Sequence, residues 1–207
     1  MPNAGGVVSW LRQLGVLAGG DWPVIRPGAV LAAAQAEPAA DPWCVPALFG
    51  LGTPRWGSAA RADISGLSAS STGADIAEAA MLGVVHQIAD AVDAVRGGLP
   101  GPLELVRVDG GLGRNDSVLQ AIADLAGITL ERPPVTEATA LGAGALAGLG
   151  TGLWDLAALG RLPFEAGRRV QPELPETARA KIRFSWQAVL SRSLAGWQAA
   201  GPGGRLS

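Results

Sequence analysis

The chain has 207 residues, enough for one large domain, and 48% of them are hydrophobic while only 16% are charged. This composition supports a sizeable core and excludes disorder as a description of the whole chain. Sixteen basic and 18 acidic residues give a formal charge of −2, which excludes the strongly basic surface typical of proteins that bind nucleic acid or anionic membranes.

Cysteine usage and targeting patterns indicate the cellular compartment of the protein. Cys44 is the single cysteine, so neither a disulfide framework nor a cysteine metal site is expected. The first residues lack the basic and then apolar segments of a signal peptide. The uncharged stretch 138–154 is rich in Gly and Ala and is shorter than the roughly 20 apolar residues that span a bilayer. We therefore expect a cytoplasmic protein without membrane segments.

In chain order, the first half of the sequence is predicted to contain two short helices, two strand-like runs and one long helix. The long helix covers 73–96, where apolar residues recur every three or four positions before a Gly-Gly pair ends the pattern. The short helices are predicted at 5–17 and 29–36, and the strand-like runs, each continuing into a loop or turn, at 45–57 and 64–71.

The second half is predicted to alternate strands with helices. The predicted strands are 103–108 and 128–132, and the predicted helices are 117–126, 138–149 and 176–197. This order favours an α/β domain with partly parallel strands. The last residues, GPGGRLS at 201–207, are predicted to form a flexible tail.

The stretch VRVDGGLGRND at Val106–Asp116 joins a predicted strand to a predicted helix. One interpretation is a tight turn, in which Asn115 or Asp116 caps the helix. The other is a phosphate site, because glycines before a helix N-terminus let an anion approach free backbone N–H groups. The stretch matches neither GxxxxGK[ST] nor GxGxxG with a downstream acid, so the residues by themselves leave both interpretations open.

Several other candidate residues favour structural roles. His86 is the only histidine, is predicted to be a half-buried spacer on the long helix, and has no second histidine with which to bind a metal. Cys44 is predicted to be a core thiol, and the seven scattered tryptophans are predicted to anchor the core.

Four aspartates can be considered as general bases. Asp63 precedes a strand-like run, and Asp75 is predicted to begin the long helix. Asp90 and Asp93 are placed toward the polar side of that helix.

Four segments together resemble the C-terminal part of the FGGY carbohydrate kinases, and most closely the glycerol kinase branch. They are SWLRQLGVL (Ser9–Leu17), VPALFGLGTPRWGSAARADISGL (Val45–Leu67), VRVDGG (Val106–Gly111) and ERPPVTEATALGAGALAGLGTGLW (Glu131–Trp154). The resemblance runs over residues 5–195 and is specific because several motifs agree in order. Leu82 departs from it, since the family has an acid or amide there.

The resemblance implies a fold and a set of nucleotide contacts. The expected fold is α/β, a partial actin-like ATPase (ribonuclease-H-like) domain with flanking helices, covering 1–200 without its first strands. In that family two such domains enclose ATP, Mg²⁺ and a polyol. The ATP contacts fall on the double glycine Gly110-Gly111 and on Asn115, with two more at Gly5 and Ser9. The family has glutamine at the Ser9 position, so this departure shortens a polar arm.

The residues that transfer the phosphate are expected to lie outside this chain. In the family the catalytic aspartate, a threonine-glycine hairpin and most of the polyol pocket precede the matched stretch. We therefore expect no catalytic residue and no Mg²⁺ ligand in this chain. Because the missing strands would leave a sheet edge uncovered, we also expect self-association of the isolated chain.

Three hypotheses follow from the resemblance. The chain is the ATP-side portion of a glycerol-kinase-like enzyme, from a truncated gene, a split gene or a gene model with the wrong start, and it works only with its N-terminal half, which a split gene would encode separately. Alternatively, it is a non-catalytic nucleotide-binding remnant or interaction module. The third hypothesis is part of a kinase for another sugar, such as xylulose or erythritol.

Overall fold

The computed structural model describes residues 4–18, 24–26, 28, 30, 42–134, 138–160 and 167–200. Its helices and strands, labelled here in chain order, are α1 (Ala4–Gln13), β1 (Trp43–Val45), β2 (Asp63–Ser65), α2 (Gly73–Gly98), β3 (Leu105–Arg107), a 3-10 helix (Gly111–Arg114), α3 (Asp116–Ala126), β4 (Thr129–Arg132), α4 (Ala138–Gly150), α5 (Leu156–Gly160), β5 (Arg168–Val170) and α6 (Glu176–Ala200).

The described strands form two small sheets. β1 and β2 pair antiparallel, with Cys44 opposite Ile64. In the other sheet the order is β3-β4-β5, with β3 parallel to β4 and β5 antiparallel to β4. The parallel pair is connected through α3, as a strand–helix–strand crossover requires. The partly parallel sheet predicted from the order of elements is therefore confirmed.

Helix α2 is the centre of the core. It begins with a capping box, in which the Thr72 hydroxyl accepts from the Asp75 backbone N–H and the Asp75 carboxylate accepts from the Thr72 N–H. Its apolar side packs against α1, α3 and β1. At Gly83 a Cβ atom would overlap the Cys44 carbonyl and the Pro46 ring, so only glycine allows β1 to approach this closely.

Helix α3 has a defined signal at each end. Asn115 accepts from the N–H groups of Ser117 and Val118, and Gly127 ends the helix in the left-handed conformation at φ 58°. Arg96 of α2 donates to the Ala126 carbonyl over 3.0 Å, which satisfies a group that the helix end leaves unpaired. The predicted cap and stop of this helix are confirmed.

Helix α6 covers a polar cluster on α2. Trp186 is buried and stacks on His86, with ring centroids 4.7 Å apart, and its Nε1 donates to Asp90 over 3.0 Å. Arg183 forms an ion pair with Asp90 and donates to the His86 carbonyl over 3.1 Å. Two predictions are corrected here, because the packing of α6 makes His86 fully rather than half buried and places Asp90 inside the protein.

The remaining predictions on elements have mixed outcomes. The long helix, the later strands and the last helix lie where expected, whereas α5, β5 and the 3-10 helix lie outside every predicted element. The tryptophans are not uniformly core anchors, since the Trp56 side chain is 76% exposed. Most of the predicted helix 29–36 and all of the predicted tail 201–207 fall outside the described residues.

None of the described helices combines the length and the apolar character that crossing a membrane requires.

Candidate functional site

The loop between β3 and α3 is an exposed glycine turn. Gly110 has φ +95°, a conformation that L side chains rarely adopt, and no atom lies within 4 Å of the position where its Cβ would be. Gly111 then starts the 3-10 helix, and Asn115 ends it and caps α3. The loop therefore presents backbone to open space at the start of a helix, which both interpretations of the sequence require.

Asp109 fixes this loop by accepting two backbone hydrogen bonds. One carboxylate oxygen accepts from the Gly110 N–H over 2.6 Å, and the other accepts from the Ala138 N–H over 3.0 Å. The second bond satisfies an N–H at the start of α4 that has no partner within the helix. Asp109 thus joins the glycine turn to α4, and both of its oxygens accept backbone hydrogen bonds.

Asn115 caps the N-terminus of helix α3. Its Oδ1 atom accepts from the Ser117 N–H, the Val118 N–H and the Ser117 hydroxyl, at 3.1, 3.3 and 2.8 Å. The cap is the role of Asn115 that the hydrogen bonds establish.

Two arginines of the sheet form hydrogen bonds at the end of the loop and the start of α3. Arg132, at the end of β4, donates to the Gly113 carbonyl over 3.1 Å and to Asp116 over 2.9 Å. Arg168, at the start of β5, donates to the other Asp116 oxygen over 2.6 Å. The hydrogen bond from Arg168, followed by that from Arg132, lowers the pKa of Asp116.

A second acid–arginine group lies on β4. Glu131 is buried between Arg107 and Arg169, its register partners on β3 and β5, with N–O distances of 3.0 and 3.1 Å. The hydrogen bond from Arg107, followed by that from Arg169, lowers the pKa of Glu131. This cross-strand group was not predicted from the sequence, although opposite charges at equivalent positions of neighbouring strands are a signal for it.

The other two predicted nucleotide residues lie on α1. Gly5 and Ser9 are both exposed and stand one helical turn apart, on the same side of the helix. Helix α1 contacts the 3-10 helix Gly111–Arg114. The structure therefore brings the two groups of predicted residues onto neighbouring elements.

The aspartates considered as general bases all make hydrogen bonds within the protein. Asp63 accepts from the Ser193 hydroxyl over 2.5 Å, and Asp75 belongs to the α2 capping box. Asp90 is bonded to Arg183, Trp186 and Gln187, while Asp93 pairs with Arg96 and Arg183.

The remaining titratable candidates are buried. Desolvation, followed by the nearby charge of Asp63, raises the pKa of Cys44 to about 12, so the thiol stays protonated as a core residue, as predicted. Desolvation and Arg183 lower the pKa of His86 well below its usual value. Within the described ranges no group of three His, Cys, Asp or Glu side chains is placed to bind a metal.

Comparison with known proteins decides the family. A model of the FGGY family of carbohydrate kinases, C-terminal domain, matches residues 1–151, which is more than half of the chain. This chain belongs to the FGGY family of carbohydrate kinases.

Similar proteins include several glycerol kinases. Glycerol kinase from Koribacter versatilis is 40% identical over 159 residues, which are 76% of this chain and 32% of that protein. Glycerol kinase from Rhodopirellula baltica is 39% identical over 192 residues, which are 92% of this chain and 34% of that protein. The chain thus spans about a third of the length of these relatives.

A solved structure confirms the fold. The crystal structure of Plasmodium falciparum glycerol kinase with ADP has a TM-score of 0.70 and 29% sequence identity, covering 92% of this chain and 37% of that one. The FGGY member described here is therefore a partial actin-like α/β ATPase domain with flanking helices, as the sequence predicted.

Proposed function

We propose that this chain forms the nucleotide-binding side of a glycerol-kinase-like enzyme, which transfers the γ-phosphate of ATP to a polyol or sugar hydroxyl. The observation that carries the proposal is the exposed turn at Gly110–Asn115, placed between a parallel strand and a helix N-terminus and beside α1. Loops of this kind bind phosphate because backbone N–H groups and the helix dipole favour an anion.

The details of the turn fit a phosphate-bearing ligand. Gly110 leaves its Cβ position open, so a phosphate can approach the backbone closely. Asp109 accepts the hydrogen bond of the Gly110 N–H, so Gly110 contributes its open Cβ position and not this N–H to the site. In this proposal Gly110, Gly111 and Asn115 contact the phosphate side of ATP, and Gly5 and Ser9 on α1 contact the same nucleotide.

The phosphate transfer itself requires a second portion of protein. Transfer to a hydroxyl needs an oriented acceptor and a carboxylate that takes up its proton. The described aspartates discussed above all accept hydrogen bonds that hold the fold, and the chain spans a third of its glycerol kinase relatives. We infer that an N-terminal kinase portion supplies the acceptor pocket, the base and the Mg²⁺ ligands. Glycerol is the acceptor that the names of the relatives support.

A second candidate is a nucleotide-binding module without catalysis. The observation that favours it is Ser9, where the family resemblance expects a glutamine. A shorter side chain removes one polar contact and weakens nucleotide binding. Loss of turnover in the presence of an intact N-terminal portion would select this candidate.

The test of the nucleotide site is ADP binding by the purified chain, measured by calorimetry. We expect Gly111→Trp to weaken binding at least tenfold, because the indole fills the space that the phosphate needs. The matched control is Gly101→Trp, at an exposed glycine with no atom near its Cβ position. Equal affinity of wild type and Gly111→Trp contradicts the assignment, and so does an equal loss in both variants.

A further inference from the structure

Phe49 is an aromatic residue in the loop after β1, and its ring lies against helix α1. The side chain is 73% exposed. Its Cε2 atom lies 3.1 Å from the position that a Cβ atom of Gly6 would occupy, so the lack of a side chain at Gly6 lets the ring rest on the helix backbone. Single exposed apolar residues are common on protein surfaces. The location of Phe49, and not its exposure alone, is therefore what indicates a role.

The backbone that carries Phe49 is fixed by its neighbours. The Gly50 N–H donates to the Ala47 carbonyl over 3.2 Å. The Leu51 N–H donates to the Gly57 carbonyl over 2.8 Å. Gly50 has φ +85°, and a Cβ atom there would lie 2.9 Å from the Gly57 carbonyl oxygen, so this position requires glycine. The ring is thus presented from a well-defined loop, and binding of a ligand to it costs little further ordering of the backbone.

Next to the ring, α1 presents a strip with few side-chain atoms. The buried side of the helix carries three apolar residues, Val7, Val8 and Leu11. At about 100° per residue, Gly5, Gly6 and Ser9 lie on the opposite side, within about 100° of one another. No described atom lies within 4 Å of the position that a Cβ atom of Gly5 would occupy, and Ser9 is exposed. The strip is therefore open above Gly5 and Ser9, and the Phe49 ring borders it at Gly6.

The glycine turn of the proposed phosphate site lies on a neighbouring element. Helix α1 contacts the 3-10 helix Gly111–Arg114, which begins at that turn. A nucleoside diphosphate carries its charge at one end and a flat, largely apolar base at the other. With the phosphates at the turn and the rest of the nucleotide along the open strip of α1, the base reaches the edge of the strip where Phe49 lies. Aromatic rings are the side chains on which bases stack.

We propose that Phe49 stacks on the base of the bound nucleotide and gives the site a preference for purine over pyrimidine nucleotides. The inference rests on the proposed function, because Gly5, Ser9 and the glycine turn then hold the rest of the same nucleotide. The preference follows from size, since a two-ring base covers more of the phenyl ring than a one-ring base does. A phenyl ring forms no hydrogen bond with the base, so the preference depends on the area of the stacked rings.

Calorimetry of the purified chain with ADP and UDP tests the proposal, because the two ligands share the ribose and the diphosphate and differ only in the base. We expect wild type to bind ADP at least about fivefold more tightly than UDP. Phe49→Ala is expected to weaken ADP binding at least about fivefold and to leave UDP binding within about twofold of wild type. Phe49→Trp retains an aromatic face, so it is expected to keep both the ADP affinity and the preference for ADP.

The matched control is Phe184→Ala, at a phenylalanine of α6 that is 78% exposed, and it is expected to leave ADP binding unchanged. Equal ADP affinity of wild type and Phe49→Ala, in a chain whose ADP binding Gly111→Trp weakens, overturns this inference and leaves the nucleotide site in place. Equal losses of ADP and UDP binding in Phe49→Ala also overturn it, because the ring would then act on the fold of the site and not on the base. Absence of ADP binding by wild type overturns the proposed function together with this inference.

Discussion

Arg132 reaches from the end of β4 to the loop before α3, where it donates to the Gly113 carbonyl and to Asp116. The Arg132 side chain is only 23% exposed. The Arg168 side chain is 57% exposed, and of these two acceptors it bonds only Asp116. The two residues share an ion-pair partner but differ in what their loss leaves behind. Removing Arg132 strips the donor from the carbonyl of a buried glycine.

We expect Arg132→Met to lower the free energy of unfolding by about 2 kcal/mol, because a buried carbonyl left without its donor costs about 1–3 kcal/mol. Arg168→Met should cost less than about 1 kcal/mol, since exposed ion pairs contribute little. Urea unfolding of both variants and wild type measures the difference. Equal losses would show that Arg132 acts only through its charge.

At the scale of elements, α6 is attached to α2 by one polar cluster inside an apolar contact. Asp90 accepts from Trp186, Gln187 and Arg183. His86 stacks on Trp186, and its ring is tilted against that of Trp43. Every member of the cluster is bonded, which is the condition under which buried polar groups do not destabilise a core. The imidazole is the one member that changes charge near neutral pH.

The pH dependence of stability should therefore report on His86. Burial and the charge of Arg183 lower the pKa of His86 in the folded state, so the unfolded chain binds the proton first. Stability is fully present above the unfolded pKa of about 6.5 and is lost as the pH falls below it, by about 1.4 kcal/mol per pH unit.

Urea midpoints between pH 5 and 7.5 check this expectation, with His86→Gln as the comparison. The variant should be less stable at pH 7.5 and should lack the slope, because His86 is the only histidine in the sequence. The lowered pKa values of Asp116 and Glu131 place their contributions in a more acidic window. A slope retained in His86→Gln would assign the effect to another group.

The contact of α2 with β1 gives a second prediction for an element. We expect Gly83→Ala to destabilise the protein by at least about 1 kcal/mol, because overpacking costs about 1–3 kcal/mol and outweighs the higher helix propensity of alanine. Gly97→Ala is the control on the same helix, with open space at its Cβ position. It should be neutral or stabilising. Thermal unfolding of the two variants measures whether each substitution lowers or raises the stability of the protein.

The positions of α2, α3 and α6 could be predicted because periodicity and end signals such as Asn115 and Gly127 are local in sequence. The burial of Asp90 could not, because it depends on Trp186 and Arg183, which lie more than 90 residues further along the chain. Strand β5 has only three residues and no alternation to detect. At the site, the glycine turn was visible in the sequence, whereas its tie to α4 through Asp109 spans 29 residues and required the structure.

At the scale of the whole molecule, the described residues include a strand edge and a helix that no other described part of the protein covers. Among the described strands, β3 pairs with β4 on one side only, which leaves an edge available for pairing. Helix α4 is exposed along its length, and the chain spans about a third of its glycerol kinase relatives. We expect the isolated chain to self-associate through such surfaces, which sedimentation at increasing concentration would measure.

Catalysis is the last property that depends on the whole molecule. We expect the purified chain to show glycerol-dependent ATP turnover at least about 100-fold below that of the same chain combined with an N-terminal kinase portion, since a positioned base contributes 10²–10⁴-fold. A coupled assay for ADP, with and without glycerol, measures the turnover. Asp109→Asn serves as the control for activity that originates in the chain itself. Turnover by the chain in isolation that disappears in Asp109→Asn would contradict the division of labour proposed here, because the activity would then originate in the chain itself, whose glycine turn Asp109 holds.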